Sequence, residues 1–197
     1  MSGKFVSRGG EKLEHALSTF EIDPTGYQCA DLGASTGGFT DCLLKAGAVR
    51  VFSVDTGYGI LAWTLRNDER VVVMERCNAL HTEPPVEVGD GVDLVVIDLG
   101  WTRQGHALPV ARRWLREGGR VISLIKPHYE QEQKGRGRRG VLPDDEAEAI
   151  VERVVGEIGE SGWSVLGLAE SPIRGGKKAS KGNREWLVVL ECLNTTG

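Results

Sequence analysis

The stretch Asp31-Leu-Gly-Ala-Ser-Thr-Gly-Gly-Phe39 decides how this chain folds. It follows a short run ending in Cys29-Ala30. It leads into Thr40-Asp-Cys-Leu-Leu-Lys-Ala-Gly47, where apolar residues recur at helical spacing before a glycine stop. The pattern predicts a strand, a glycine-rich turn, and a helix that opens onto the turn. Such a turn leaves backbone N–H groups free and lets a ligand approach the main chain. Asp31 then stands where the strand ends, at the edge where open α/β sheets bind ligands.

Spacing within the loop bears on the ligand. A dinucleotide loop needs Gly-x-Gly-x-x-Gly, the middle glycine admitting a pyrophosphate. Here the order is Gly33-x-Ser35-x-Gly37-Gly38, so Ser35 holds the middle position. An acid just before the loop is a poor neighbour for a pyrophosphate and a good one for a cation. S-adenosylmethionine has no phosphate and carries a sulfonium and an ammonium group, so the loop favours it over NAD. The cofactor contacts expected here are Asp31, Gly33, Ser35, Gly37, Gly38 and Phe39. Taken alone, the loop also fits a purely structural turn in another α/β protein.

Outward from the loop, Arg50-Val-Phe-Ser-Val-Asp55 reads as a second strand ending in an acid. Asp55 lies about twenty residues past the glycines, where α/β nucleotide folds place a carboxylate on ribose hydroxyls. After a third strand, Arg70 to Met74, Asn78 falls where an adenine would lie if Asp55 held its ribose. Asp93-Leu-Val-Val-Ile-Asp98 is nearly all aliphatic, as a strand buried on both faces should be. It ends in a third strand-end acid, Asp98. A helix is expected over 108–115, stopped by Gly118-Gly119, and a fifth strand then delivers Lys126-Pro127. A helix within 141–162, a strand over 163–168 and a last strand over 186–191 complete the pattern. Upstream, Leu13, Ala16, Leu17 and Phe20 make the buried stripe of a helix that Ser7-Arg-Gly-Gly-Glu-Lys12 leads into.

The expectation is one α/β domain over 1–197, with 1–26 as a helical lead-in carrying Lys12. Its fold is expected to be that of Rossmann-like S-adenosylmethionine-dependent methyltransferases. The sheet has seven strands, mostly parallel, and closes on an antiparallel C-terminal strand.

Composition sets outer limits. The 197 residues are 40% hydrophobic and 26% charged, ordinary for a soluble globular domain with a full core. No apolar run approaches the ~20 residues that cross a bilayer, and the first residues do not read as a secretory signal. Cys29, Cys42, Cys77 and Cys192 form no close pairs, and the four histidines are scattered. Reduced thiols, no metal, no membrane partner and a cytoplasmic location are therefore expected. Net charge is −4, yet basic residues gather at Lys4, Arg8 and Lys12, at Lys134 to Arg139, and at Arg174 to Lys178 with Lys181. Either these loops converge on one phosphate-holding face, or they are simply solvated.

Four residues stand out for chemistry: Lys12, Asp98, Lys126 and Glu185. A ribose hydroxyl attacking a methyl group must lose its proton, so a positioned base helps. A lysine at its ordinary pKa of about 10.4 cannot serve at pH 7. A second lysine and partial burial favour its neutral form, while Asp98 and Glu185 oppose that.

Several stretches carry a resemblance: Ser7 to Leu13, Asp31 to Leu43, Val54-Asp-Thr-Gly-Tyr-Gly59, Glu75-Arg-Cys-Asn78 and Lys126-Pro-His-Tyr-Glu130. They resemble the TlyA family, the hemolysin A-like ribosomal RNA ribose methyltransferases with an FtsJ-like domain. Ser171-Pro-Ile173 and Gly182-Asn-Arg-Glu-Trp186 resemble that family's C-terminal motif. The resemblance covers nearly the whole chain. It implies S-adenosylmethionine as donor, an RNA 2′-hydroxyl as acceptor, ribosomal RNA as partner, and a tetrad at Lys12, Asp98, Lys126 and Glu185.

Two departures stand beside it. Family members usually carry a small RNA-binding domain before the Ser-Arg-Gly-Gly motif, and only six residues precede Ser7 here. That domain is expected to be missing, with a helper protein supplying docking in its place. The remaining alternatives are a non-catalytic S-adenosylmethionine- or RNA-binding module, or a methyltransferase with another acceptor. After Asp98 the chain also reads Leu-Gly-Trp-Thr-Arg, where the family usually continues Ser-Phe. Trp101 either stacks on a base or packs under the following helix, the latter being the expectation for a lone tryptophan.

Overall fold

A computed structural model of the protein describes residues 3–131, 140–176 and 182–193. The strands are β1 (Gln28–Leu32), β2 (Arg50–Val54), β3 (Val71–Met74), β4 (Val92–Ile97), β5 (Leu115–Ile125), β6 (Trp163–Glu170) and β7 (Trp186–Cys192). The helices are α1 (Gly9–Thr19), α2 (Gly38–Lys45), the short α3 (Trp63–Arg66), α4 (Gln104–Trp114), the single turn α5 (Pro127–Glu130) and α6 (Asp144–Glu160). The seven strands form one sheet in the order β3-β2-β1-β4-β5-β7-β6. The five strands from β3 to β5 pair in parallel, and β7 runs antiparallel to both its neighbours.

Each face of the sheet buries one apolar layer. On one side, Leu13, Ala16 and Leu17 of α1 and Leu43 of α2 meet Val51, Leu94, Val96 and Ile122. On the other, Trp114 of α4 and Val151, Val154 and Ile158 of α6 meet Val92, Val95 and Val121. The central strands are buried on both faces because helices cover both, which suits the nearly all-aliphatic run of β4.

This topology assembles one edge. The parallel strands β1, β2, β4 and β5 all end there, and their C-terminal residues are followed by Gly33, Asp55, Asp98 and Lys126. Because β7 is antiparallel, it starts there instead: Trp186 pairs with Ile125, which brings Glu185 beside Lys126 in the sheet order. Lys12 arrives from outside the sheet. The start of α1 rests on the start of α2, where a Cβ on Gly38 would meet the backbone nitrogen of Gly10 at 2.8 Å.

The structure differs from expectation around α4 and β5: the strand was expected from Arg120 but begins at Leu115, so Gly118 and Gly119 lie inside it. Helix α4 begins at Gln104, not Leu108, and carries Pro109 inside it. The Gln104 N–H donates to the Glu130 carboxylate at 2.8 Å, so a side chain from α5 caps a helix whose own sequence has no cap. The helix ends at Trp114, four residues before Gly118, because Leu115 already pairs with Val92 of β4.

Candidate active site

The glycine loop is pinned from below. Gly33 and Ala34 N–H both donate to the Val54 carbonyl, at 2.9 and 3.1 Å. Gly33 has φ +98, and a Cβ there would lie 2.7 Å from the Asp98 carbonyl, so glycine is required on both counts. Ser35 is also left-handed, with φ 50, and its N–H donates to Asp55 Oδ2 at 2.8 Å. Asp55 Oδ1 accepts from the Gly57 N–H at 2.7 Å. The loop and the second strand-end acid are thus one rigid unit.

Asp31 sits differently from its expected place at the ligand edge. It is fully buried beneath the loop and lines neither of the two clefts at that edge. Its Oδ2 accepts from the Thr40 N–H at 2.9 Å and from Thr40 Oγ1 at 2.7 Å, capping α2 from below. Thr40 Oγ1 is in turn 2.7 Å from Ser53 Oγ. Burial pushes the Asp31 carboxyl up to about 7, against the pull of the Thr40 hydrogen bonds, and the Asp98 and Asp55 charges add to the rise. Oδ1 has no hydrogen-bond partner among the described residues. Gly37 also lines neither cleft; it supplies the left-handed residue that starts α2.

The larger cleft, of about 600 Å³, runs from the loop past Asp55 to Asn78 and Leu80. Gly33, Ser35, Asp55, Asn78, Asp98 and Lys126 all lie on it. Asn78 turns its Oδ1 back to the Leu80 N–H at 3.0 Å, shaping the far end. The smaller cleft, of about 160 Å³, shares Gly33, Ser35 and Asp98 and adds Gly38, Phe39 and Lys12. A glycine loop that lets a ligand approach the main chain, a carboxylate tethered to that loop, and a partly apolar far end fit S-adenosylmethionine in the larger cleft.

The four candidate catalytic residues form two ion pairs. Lys12 Nζ lies 2.5 Å from Glu185 Oε2, with side chains only 11% and 4% exposed. Lys126 pairs with Asp98 and donates to the Leu99 carbonyl at 3.1 Å. Asp98 belongs to both clefts and so links the two pairs. Burial tends to raise the Asp98 carboxyl, but the charges of Lys126 and then Lys12 outweigh it and hold the group below the ordinary range. Asp98 is therefore ionised at neutral pH.

One further residue at the site, His128, was given no role by sequence. His128 lies close enough that Lys126 and Lys12 add to the effect of burial, which pushes its imidazole down to about 4. It is neutral at pH 7, with Nδ1 buried and unpartnered among the described residues. Trp101 does not pack under α4. It is 88% exposed on the rim of the larger cleft, left-handed at φ 57, with its ring 4.9 Å from that of Tyr129. A bulky residue in that backbone region is a costly arrangement that tends to occur at functional sites. Of the basic clusters, Arg8 and Arg174 meet at the smaller cleft, while Lys4 pairs with Glu14 elsewhere. Lys134 to Arg139, Lys177, Lys178 and Lys181 lie outside the described residues.

Among the described residues, no helix is long and apolar enough to cross a membrane. Comparison with known proteins gives a consistent picture. Residues 5–191 match the family of FtsJ-like methyltransferases. The chain is 39% identical over 188 residues to the YqxC protein of Bacillus subtilis, named for rRNA methylation, covering 95% of this chain and 66% of that one. It is 42% identical over 187 residues to the 16S/23S rRNA (cytidine-2′-O)-methyltransferase TlyA of Mycobacterium tuberculosis, covering 94% and 68%. It thus spans about two thirds of the length of these relatives. A solved hemolysin-type structure from Streptococcus thermophilus superposes with a TM-score of 0.87 at 38% identity, over 98% of this chain and 69% of that one. Solved S-adenosylmethionine-dependent methyltransferases at 15% and 16% identity share the fold, which is Rossmann-like as expected.

Proposed function

The chain belongs to the FtsJ-like methyltransferase family, and we propose that it moves the methyl group of S-adenosylmethionine onto a ribose 2′-hydroxyl of RNA, with ribosomal RNA as the acceptor. One observation carries the reading. Asp98 stands where two clefts meet and gathers two lysines and, through Lys12, a buried glutamate at that point.

In this reading the larger cleft holds the cofactor. Asp55 accepts from the ribose hydroxyls, Asn78 borders the adenine, and Gly33 and Ser35 offer close main-chain approach. Bound there, S-adenosylmethionine supplies an electrophilic methyl group on a sulfonium, and the ionised Asp98 favours positive charge nearby. The acceptor ribose enters where the clefts join. Lys126, oriented by Asp98 and the Leu99 carbonyl, takes the hydroxyl proton as the oxygen–methyl bond forms. That step requires its neutral amine at the moment of attack. Lys12, fixed by Glu185, donates to the ribose oxygen and holds its geometry. Asp31 supports the loop from beneath, and Trp101, exposed on the rim, offers a ring on which a base can stack.

The test begins with calorimetric titration of S-adenosylmethionine into the wild type and Asp55→Ala. The expected result is binding by the wild type and a loss of about 10- to 100-fold in the variant, the range for hydrogen bonds to a charged group. Ribosomal subunits incubated with tritiated donor should then gain label at a ribose that resists alkaline hydrolysis. Label on a base would move the acceptor elsewhere, and cofactor binding without transfer would leave a binding module. Transfer by this chain alone would remove the need for a helper protein.

A further inference from the structure

Two guanidinium groups from opposite ends of the chain flank the smaller cleft. Arg8 precedes α1 and donates to the Gly176 carbonyl, 168 positions away. Arg174, between β6 and β7, reaches Asp144 at 3.4 Å and the Gly182 carbonyl at 3.5 Å. Both arginines line the cleft.

Charge at the cleft is uneven. Inside, Lys12 is matched by Glu185 and Asp98 by Lys126. On the rim, Arg174 has a long contact to an exposed carboxylate, and the partner of Arg8 among the described residues is a neutral carbonyl. A guanidinium carries five N–H donors in a fork that fits phosphate, and its bonds to an anion are about twice as strong as those to a neutral acceptor. The Arg8–Gly176 contact is thus one that a phosphate can displace. At about 160 Å³ the cleft is also smaller than the roughly 300–1,000 Å³ typical of sites that enclose a whole ligand. It suits the sugar–phosphate edge of a long polymer.

We infer that Arg8 and Arg174 are positioning residues that grip the phosphates flanking the acceptor ribose, one from each wall. They thereby hold its 2′-hydroxyl at the junction of the Lys12–Glu185 and Asp98–Lys126 pairs. The inference rests on the RNA-methyltransferase reading above. An anion at this place has two possible sources, an RNA phosphate or the carboxylate of the cofactor, and the inference commits to the phosphate.

Arg8→Ala, Arg174→Ala and the two lysine replacements separate these cases. Binding of a short fluorescein-labelled single-stranded RNA is measured between about 50 and 200 mM salt, with calorimetric titration of S-adenosylmethionine alongside. Each alanine variant should weaken RNA binding about tenfold, as removal of a charge-assisted bond does. Each should also shrink the slope of log K against log salt by about 0.7 for every phosphate that is no longer neutralised. Cofactor affinity should be unchanged. The lysine variants should restore the slope, which counts charge, and only part of the affinity, which needs the fork. With ribosomal subunits as substrate, KM should rise and kcat should fall with it, because loosened phosphates no longer hold the 2′-hydroxyl in place. Unchanged slopes in both alanine variants would overturn the clamp and leave the enzyme reading intact. Weakened cofactor binding in a variant that melts at the wild-type temperature would hand the arginines to the cofactor carboxylate. Failure of the wild type to bind RNA at all would sink the inference together with the reading beneath it.

Discussion

The two clefts that meet at Asp98 are built in different ways. Gly33, Ser35, Asp55, Asn78 and Lys126 on the larger one follow the parallel strands, each at the turn its own strand delivers. Parallel β–α–β units bring all those turns to one edge, so the cleft assembles from local pieces. The smaller cleft joins Arg8 and Lys12, from before the first strand, to Ile173, Arg174, Gly175 and Gly176, from before the last. Its central bond, Lys12 to Glu185, closes 173 positions of chain. The lesson is that a cleft made of successive turns is set once the sheet forms, while the smaller cleft depends on distant segments that the whole domain must bring together.

The most severe break of this contrast is at Lys126. Lys126→Arg keeps a cation beside Asp98 but removes the proton acceptor. Single-turnover methyl transfer should fall by about 10²- to 10⁴-fold, while cofactor titration stays at the wild-type value. A variant with full transfer would take the proton-accepting role away from Lys126.

Next comes the bond that closes the smaller cleft. Glu185→Gln leaves the Lys12 ammonium buried without its counter-charge, and breaking a buried pair in this way costs about 3–5 kcal/mol. Urea unfolding should show that drop in stability. If it instead shows a change near zero, the pair is not carrying the acceptor wall. Because the larger cleft lies mainly on the parallel strands, cofactor binding at low temperature should survive the same substitution.

The last effect, absent in acid, concerns the support under the larger cleft. Asp31 is held near 7 in the folded protein against an ordinary 3.8, so its burial as an anion opposes folding. The sign follows from linkage: the penalty is absent below about pH 4, grows between about pH 4 and 7, and is constant above that. Asp31→Asn keeps an acceptor for the Thr40 N–H and carries no charge. Its melting temperature should match the wild type near pH 4 and exceed it by pH 8, by the equivalent of up to about 4 kcal/mol. A constant offset across that range would mean the folded carboxyl titrates elsewhere.

The succession of strands, the glycine loop and the three strand-end acids were readable in the chain because each rests on near-neighbour patterns: aliphatic runs, helical spacing, a glycine where the backbone must turn. Lys12, Asp98, Lys126 and Glu185 stood out in the chain as well, and the resemblance implied the same four as a tetrad. The role of Asp31 was not readable, since a strand-end acid looks the same whether it faces a ligand or caps the helix behind it. Only the position of Thr40 separates the two. Nor was the start of α4, whose cap is Glu130 from another element. The exposure of Trp101 and the meeting of Arg8 with Gly176 escaped for the same reason.

What the sequence determined by itself is therefore the larger cleft, through spacing that acts over a turn or two of chain. What only the tertiary structure decided is the smaller cleft: Glu185 reaches the strand-end edge because β7 runs against β5, and Lys12 because α1 lies on α2. Both depend on contacts between parts distant in sequence, whose pairing follows from how the two apolar layers pack against the sheet and not from the residues nearby.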